Sequence, residues 1–233
     1  MNPKDIIRKA LEEGRTKLLE HEAIEIIKHY GAGVADAYLA KSAEEAANIA
    51  DKIGYPVVLK IVSPDISHKS DVGGVILGLR NRFEVMDAYQ RIIDNVSMNA
   101  PSSRIAGILV QKMAEPGGIE VIVGGLRDNV FGPVVMFGLG GIFVEVLRDV
   151  SFRVAPVSFE DALEMMKEIK AAKILEGYRN TPPIDKNSLA KIIVATAKLL
   201  EENPEVDSLD LNPIIAYPDK AIVVDARIIL KKR

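Results

Sequence analysis

Segments with helical and strand-like apolar spacing alternate along the first part of the chain. Residues 17–30 place apolar side chains on one helical face, and residues 34–40 follow as a candidate strand. A second helix is predicted over 42–53, with a Ser-x-x-Glu capping box at its start. The continuous apolar run 57–62, Val-Val-Leu-Lys-Ile-Val, predicts a buried strand. Because helices and strands alternate within so few residues, the sequence indicates an α/β or α+β unit.

The rest of the chain continues this mixture of helices and strands. The segment 99–103, Asn-Ala-Pro-Ser-Ser, is the best candidate for an internal boundary. Predicted elements fall on both sides of it, so two subdomains are expected. The strands are predicted at 75–79, 105–111, 119–124 and 134–137, the helices at 82–95, 159–170 and 188–202, and a terminal hairpin pairs 208–215 with 221–229.

Length and composition limit the classes of function. The 233 residues suffice for one large or two small domains with a hydrophobic core. With 30 Lys and Arg against 33 Asp and Glu, the chain lacks the basic excess of a general nucleic-acid or membrane-surface binder. It contains no Cys, which excludes disulfides and cysteine metal sites. The most apolar stretch, 132–146, is too short to span a bilayer and no secretory signal is recognisable, so we expect a cytoplasmic protein without nucleic-acid or membrane partners.

The terminal hairpin can bring two oxygen ligands together. Alternation places Asp210 and Asn212 on one face of its first strand. Symmetric pairing about the turn at Pro218-Asp219 sets Asn212 opposite Asp225, and directly opposed Cβ atoms lie about 4.5–5.5 Å apart. Mg²⁺ is commonly held by one or two protein oxygens together with substrate phosphates. The hairpin alone leaves two interpretations open: a metal-binding pair, or polar side chains that only face solvent.

Lys60 interrupts an otherwise apolar strand. Burying an unpaired ammonium group is costly, so the side chain must either reach solvent at an exposed strand end or meet an anion. A nucleotide phosphate would be a suitable anion. Both interpretations stay open on the strand alone.

The polar loop that follows this strand contains a possible nucleophile. His68 is the only histidine outside the first predicted helix. Imidazole can carry a phosphoryl group covalently, whereas an exposed loop histidine is usually just solvated. Gly73 and Gly74 would let the backbone approach a ligand closely. The chain contains no Walker A pattern, and its GLGG run falls short of GxGxxG because Phe143 stands where the last glycine belongs, so neither a P-loop nor a dinucleotide site is supported.

A third group of candidates surrounds the next predicted hairpin. Gln111, Lys112 and Met113 end one strand, where backbone groups could pair with an adenine edge. Glu120 lies in the following strand and could accept from ribose hydroxyls. The alternative is a plain hairpin with a surface glutamate.

In combination these segments resemble a known family. The resemblance lies in GAGVADAYLAKSAEEAANIADKIGYPVVLKIVSPDISHKSDVGGV, ILVQKMAEPGGIEVIVGG, VMFGLGGIFVEVLRDVSFRVAP, DLNP and VVDARI. These runs are similar to the β subunit of ADP-forming acetate–CoA ligase, in the succinyl-CoA synthetase-like ATP-grasp group. The similarity extends from about Gly14 to Leu230. It implies an ATP-grasp α+β fold of two subdomains, residues 1–103 and 104–233, with the nucleotide between them.

The resemblance also implies a role for each candidate residue. His68 matches the loop histidine that, in this family, is implicated in carrying phosphate between two distant sites. The other implied roles are Lys60 on the nucleotide phosphates with Gly73 and Gly74 in the same site, Gln111, Lys112 and Met113 as the adenine hinge, Glu120 on ribose, and Asn212 and Asp225 on Mg²⁺.

The family reaction converts acyl-CoA, ADP and phosphate to acid, CoA and ATP. An acyl phosphate forms in the α subunit, a histidine there takes the phosphoryl group, and the β subunit delivers it to ADP. The resemblance therefore implies Mg²⁺, ADP or ATP as substrate, and an α partner in an αβ heterotetramer. Two alternatives remain: a stand-alone ATP-grasp carboxylate–amine ligase, and a non-catalytic nucleotide-sensing module.

Overall fold

The computed structural model describes residues 2–141, 148–179 and 182–232. The chain divides into two compact units. Ala35–Ala114 form one, called here the inserted unit, and Met1–Val34 with Glu115–Arg233 form the other, called the main unit. Each unit is an α+β structure, as predicted.

The observed elements follow the predicted order. The strands at 57–62 and 75–79 have the predicted bounds. Three elements were not predicted: the helix at 3–12, the strand at 150–154 and the short helix at 172–175. In chain order the elements are α1 (Pro3–Glu12), α2 (Glu20–His29), β1 (Ala37–Ala40), α3 (Ala43–Ile53), β2 (Val57–Val62), β3 (Val75–Leu79), α4 (Arg82–Asn99), β4 (Gly107–Lys112), β5 (Ile119–Asp128), β6 (Gly132–Leu139), β7 (Val150–Val154), α5 (Phe159–Glu168), α6 (Ala172–Leu175), α7 (Lys186–Glu202), β8 (Val206–Ala216), β9 (Ala221–Val223) and β10 (Ala226–Leu230).

The inserted unit is an antiparallel sheet covered on one face by α3 and α4. The strand order is β1-β4-β2-β3. Leu59 and Ile61 of β2 point into a core that α3 and α4 complete with Ala50 and Ile92. The helices start where the sequence supplies caps: Ser42 accepts from the amide of the third residue of α3, and Asn81 does the same for α4. Since one sheet face is taken up by helices, alternate residues of β2 and β4 lie on the other face.

The main unit is a larger antiparallel sheet with helices on one face. The strand order is β10-β8-β5-β6-β7, with β9 paired to β8. Gly125 of β5 lets α7 approach closely, because a Cβ at this position would lie 2.7 Å from Leu200 Cδ1 and 3.2 Å from Thr196 Cγ2. Within the described residues, no helix is long and apolar enough to cross a membrane.

The unit boundaries differ from the predicted division at residues 103 and 104. β4 pairs with β1 and β2, so residues 104–114 belong with the preceding sheet. The first 34 residues belong to the main unit, where the amide of Leu18 donates to Ile228 at 3.0 Å and the amide of Leu230 donates to Thr16 at 2.7 Å. The boundary between the units therefore follows the pairing of strands that are distant in sequence, and it does not fall at the polar segment 99–103.

Candidate functional site

The predicted site residues are divided between the two units. Those of the main unit are Glu120, Asn212 and Asp225. Those of the inserted unit are Lys60, His68, Gly73, Gly74, Gln111, Lys112 and Met113.

Lys60 lies in the middle of β2, on the face away from α3 and α4. Its neighbours Leu59 and Ile61 point into the core, so alternation turns Lys60 to the other face. It is only 6% exposed, which excludes the interpretation as a lysine at a solvated strand end. Its register partner is Leu109 in β4, and Gln111, which is 1% exposed, is the next residue of β4 on that face. The predicted phosphate lysine and the first hinge residue are therefore diagonal neighbours on one buried face.

The end of β4 is held by backbone and side-chain bonds within the inserted unit. The amide of Lys112 donates to Asp36 at 2.8 Å, and its ammonium group donates to the carbonyls of Gly54 at 3.1 Å and Tyr55 at 2.7 Å. The amide of Met113 donates to Pro56 at 3.1 Å. Pro56 has no N–H and cannot return a bond to the Met113 carbonyl. The Met113 carbonyl therefore lacks the return bond that a regular antiparallel pair would give it, and a contact of this segment with adenine stays a prediction.

The first half of the loop that carries His68 is anchored by three neighbouring residues. The Ser63 hydroxyl accepts from the amides of Asp65 at 3.0 Å and Ile66 at 3.3 Å, and the Ile66 side chain is buried in the core. The Asp65 carboxylate accepts from the amide of Arg104 at 2.8 Å and from its guanidinium at 3.0 and 2.7 Å. These bonds from Arg104 lower the pKa of Asp65 to about 2, so the pair is charged at neutral pH. His68 itself is exposed.

The second half of the loop closes on a glycine pair that has a structural role. The amide of Gly74 donates to Lys69 at 2.8 Å, and its carbonyl accepts from Ile61 at 2.7 Å. A Cβ on Gly74 would lie 2.4 Å from Ile61 Cγ2. Gly73 has φ +65°, and its carbonyl accepts from Asn95 of α4 at 3.1 Å. The turn therefore requires glycine at both positions for its own geometry, and a contact of the two glycines with nucleotide stays a prediction.

The terminal hairpin has the predicted register. The amide of Tyr217 donates to Lys220 at 2.7 Å, and the amide of Asn212 donates to Asp225 at 3.2 Å. The pairing of β8 with β5 shifts register between Val121 and Val123, beside Asn212, and such bulges re-aim side chains at functional sites. Asn212 is exposed and Asp225 is half-buried. The amide and the carboxylate predicted to share a metal ion thus lie on directly opposed residues.

Asp210 joins this pair on the sheet face away from α7. Its neighbour Leu209 packs beside Gly125, which faces α7, so alternation turns Asp210 and Asn212 to the opposite face. Burial raises the pKa of Asp210, the charge of Asp225 raises it further, and Arg227 partly offsets the shift. Crowded negative charge of this kind fits a bound cation. The sequence alternation already placed Asp210 beside Asn212, but the predicted metal pair did not include it.

Glu120 lies on the same face and contacts a glycine turn whose role the sequence did not reveal. The amide of Gly140 donates to the Glu120 carbonyl at 2.8 Å. A Cβ on Gly140 would lie 3.1 Å from the Glu120 Cβ, and one on Gly141 would lie 3.7 Å from Glu120 Oε2. The exposed Glu120 side chain therefore lies against the GLGG run. Phe143, which stands where GxGxxG requires its last glycine, lies outside the described residues.

A family match identifies the class of protein to which these antiparallel sheets, the buried lysine and the opposed Asn–Asp pair belong. The ATP-grasp domain family matches residues 9–230, so the chain is an ATP-grasp protein. It is 52% identical over 227 residues to subunit beta of acetate–CoA ligase [ADP-forming] I from Pyrococcus furiosus, and the match covers 97% of both chains. The chain therefore belongs to the β-subunit family of the ADP-forming acetate–CoA ligases. This membership disfavours both a carboxylate–amine ligase and a nucleotide-sensing module.

Two further relatives match this chain, one as part of a longer protein and one with solved structures. Acetate–CoA ligase [ADP-forming] I from Archaeoglobus fulgidus is 46% identical, and the match covers 97% of this chain but 33% of that protein. Acetyl-coenzyme A synthetase 1 of Ca. Korarchaeum cryptofilum, in complex with coenzyme A and Ca-AMPCP, matches with a TM-score of 0.96 and 54% identity, over 99% of this chain and 100% of that chain. A second structure of that protein, with coenzyme A and Mg-AMPPCP, matches with a TM-score of 0.88 and 50% identity over the same shares. Its phosphohistidine segment points towards the nucleotide-binding site.

Proposed function

We propose that this chain handles the nucleotide in an ADP-forming acyl-CoA synthetase, and that His68 exchanges a phosphoryl group with ADP or ATP. The observation that carries the proposal is the placement of His68. It is exposed in a loop that is anchored on both sides, by Ile66 before it and by the Lys69–Gly74 turn after it. A nucleophile that receives a phosphoryl group needs access to its donor, and this loop provides it.

The transfer from His68 to ADP needs no further reactant. An electron pair of a β-phosphate oxygen of ADP forms the new O–P bond while the N–P bond of the phosphorylated histidine breaks. The electron pair of that bond returns to the imidazole nitrogen, which leaves ATP and neutral His68. In the reverse direction the unprotonated imidazole nitrogen attacks the γ-phosphorus and ADP leaves. The protein must align these atoms and neutralise phosphate charge, and Lys60 supplies a positive charge for this.

The main unit supplies oxygen ligands for Mg²⁺. Asn212 and Asp225 would hold the ion, and Asp210 adds a second carboxylate on the same face. The donor set fits, because Mg²⁺ prefers carboxylate and amide oxygens and completes its shell with phosphates and water. When bound, Mg²⁺ would neutralise charge on the phosphate groups. The raised pKa of Asp210 supports this assignment, since a cation would relieve its repulsion with Asp225.

The remaining candidates would bind the nucleoside. The Met113 carbonyl would accept from the amino group of adenine, in the segment formed with Gln111 and Lys112. Glu120 would accept from ribose hydroxyls, and its position against Gly140 and Gly141 leaves its carboxylate exposed on the sheet face. Adenine is favoured over guanine because guanine presents an acceptor oxygen where adenine presents its amino group.

We also propose an α-type partner. The matched region is a third of the Archaeoglobus enzyme and is named subunit beta in Pyrococcus. The partner would carry the acyl-phosphate and coenzyme A chemistry, and an αβ heterotetramer is the expected assembly.

Acyl-CoA-dependent ATP formation tests the proposal in the complex with this partner. His68→Ala should lower the rate by more than about a thousandfold, because the nucleophile is removed. The matched control is His29→Ala, which removes an exposed histidine at the end of α2 and should leave the rate within about twofold. Full activity of His68→Ala would contradict the proposal.

A further inference from the structure

His68 is kept near one position by short tethers on both sides. Ile66, two residues before it, is buried in the core, and the carbonyl of Lys69 accepts from Gly74 at 2.8 Å. Two residues of extended chain span at most about 7 Å. His68 therefore cannot travel further than this from Ile66 while that anchor holds. If it carries a phosphoryl group to a partner subunit, the loop must be released.

The contact between Asp65 and Arg104 is suited to control this release. It comprises three hydrogen bonds, of 2.8, 3.0 and 2.7 Å, to the two oxygens of one carboxylate. The Arg104 side chain is 71% exposed and that of Asp65 33% exposed. Water can therefore replace these bonds without exposure of apolar surface, unlike the withdrawal of Ile66 from the core. The pair also ties the loop to the segment just before β4, which ends at the predicted adenine hinge.

We infer that Arg104 is a positioning residue for His68, and that its bonds to Asp65 must open before the loop releases the histidine. This inference rests on the proposed function. Asp65 directly precedes Ile66 in the chain, so Ile66 can leave the core together with His68 only after the bonds that hold Asp65 have opened. The neighbouring Ser63 hydroxyl, which accepts from the amides of Asp65 and Ile66, is a further polar contact in this half.

The chain contains a matched control for this ion pair. Arg82 at the start of α4 donates to Asp51 and Asn48, each at 2.8 Å, also on the surface of the inserted unit. Arg82→Ala therefore removes a comparable exposed ion pair that does not involve the loop. Arg104→Lys keeps the charge but cannot reproduce the two-pronged geometry of the guanidinium.

The test combines hydrogen exchange with kinetics in the complex with the α-type partner. Arg104→Ala removes the two guanidinium bonds and keeps the bond from the backbone amide. It should speed amide exchange in residues 65–72 about two- to fivefold, the range for loss of an exposed ion pair. Because bonds that delay release of the loop are lost, the variant should raise kcat for ATP formation by a similar factor and leave KM for ADP unchanged. Arg104→Lys should fall between wild type and Arg104→Ala, and Arg82→Ala should match wild type.

Two results would overturn the inference. One is unchanged exchange of residues 65–72 in Arg104→Ala. The other is faster exchange spread evenly over the whole inserted unit, which would show that Arg104 only stabilises the fold. The proposed function is tested separately in the wild-type complex. Absence of phosphate on His68 there would contradict the proposed function, independently of any result with the Arg104 variants.

Discussion

The terminal hairpin and the His68 loop hold their candidate groups in different ways. In the hairpin, Asn212 and Asp225 are fixed by backbone register, with hydrogen bonds on successive residues of β8. In the loop, His68 is exposed between two anchors, and one anchor includes a surface ion pair. Groups that orient phosphate and metal must keep their geometry, whereas a group that carries phosphate must move. Under the proposed function, this contrast fits positioning by the sheets and transport by the loop.

Lys60 belongs with the fixed groups although it lies in the same unit as His68. It is buried at the centre of β2, with β3 on one side and β4 on the other. Its backbone cannot move without breaking both strand pairings. The boundary between fixed and movable groups therefore runs within the inserted unit, at the end of β2.

Among the fixed groups, the largest effect is expected at the predicted metal pair, Asn212 and Asp225. Asp225→Ala should weaken ADP binding about a hundredfold in the presence of Mg²⁺, because a charged ligand of the ion is lost, and much less in EDTA. Titration calorimetry of the complex in the two buffers measures both affinities. Asn212→Ala should act in the same direction with a smaller loss.

Asp219→Ala is the control for this experiment. It removes an exposed carboxylate from the turn of the same hairpin and should leave both affinities within about twofold. Equal losses with Mg²⁺ and with EDTA in Asp225→Ala would contradict a metal role and indicate damage to the hairpin.

A second effect is expected at the fixed end of the loop. Gly74→Ala should lower the free energy of unfolding by about 1–3 kcal/mol, because the new methyl group overlaps Ile61 Cγ2 at 2.4 Å and the Lys69 carbonyl at 2.9 Å. Denaturant titration measures the change. Gly124→Ala is the comparison, since its nearest contact is the flexible Met136 methyl group at 3.2 Å. Equal losses in the two variants would show that the loop turn is not tightly packed.

The smallest effect concerns Asp210. Burial and Asp225 raise its folded-state pKa, so ionisation of Asp210 destabilises the folded state as pH rises through that pKa. Asp210→Asn should therefore raise the melting temperature at neutral pH without nucleotide, by about 1–2 °C. The gain in melting temperature should vanish below about pH 3.9, the ordinary pKa of an aspartate, because Asp210 is then neutral in both the folded and the unfolded state. A gain that is independent of pH would exclude charge repulsion as its cause.

Local sequence signals were sufficient for much of the fold and for the hairpin. The apolar run of β2 gave its bounds, and a short turn centred on Pro218-Asp219 left one symmetric register, so Asn212 opposite Asp225 could be predicted. β7 was missed, although it completes one edge of the larger sheet.

The anchors of the loop could not be predicted, because their partners are distant in sequence. Arg104 is 39 residues from Asp65, and Asn95 is 22 residues from Gly73. No periodicity links such pairs, and only the packing of α4 and β4 against β2 brings them together. The contact of Glu120 with Gly140 depends in the same way on the register of β5 with β6.

Phosphoryl transfer from Mg-ATP labelled at the γ-phosphate tests the central claim most directly. The complex would be incubated with the label, digested and mapped for acid-labile phosphate. We expect label on His68, its loss on addition of ADP, and no label in His68→Ala. Stable label on another residue, or no label in a complex that still forms ATP from acyl-CoA, would contradict the assignment of transport to this loop.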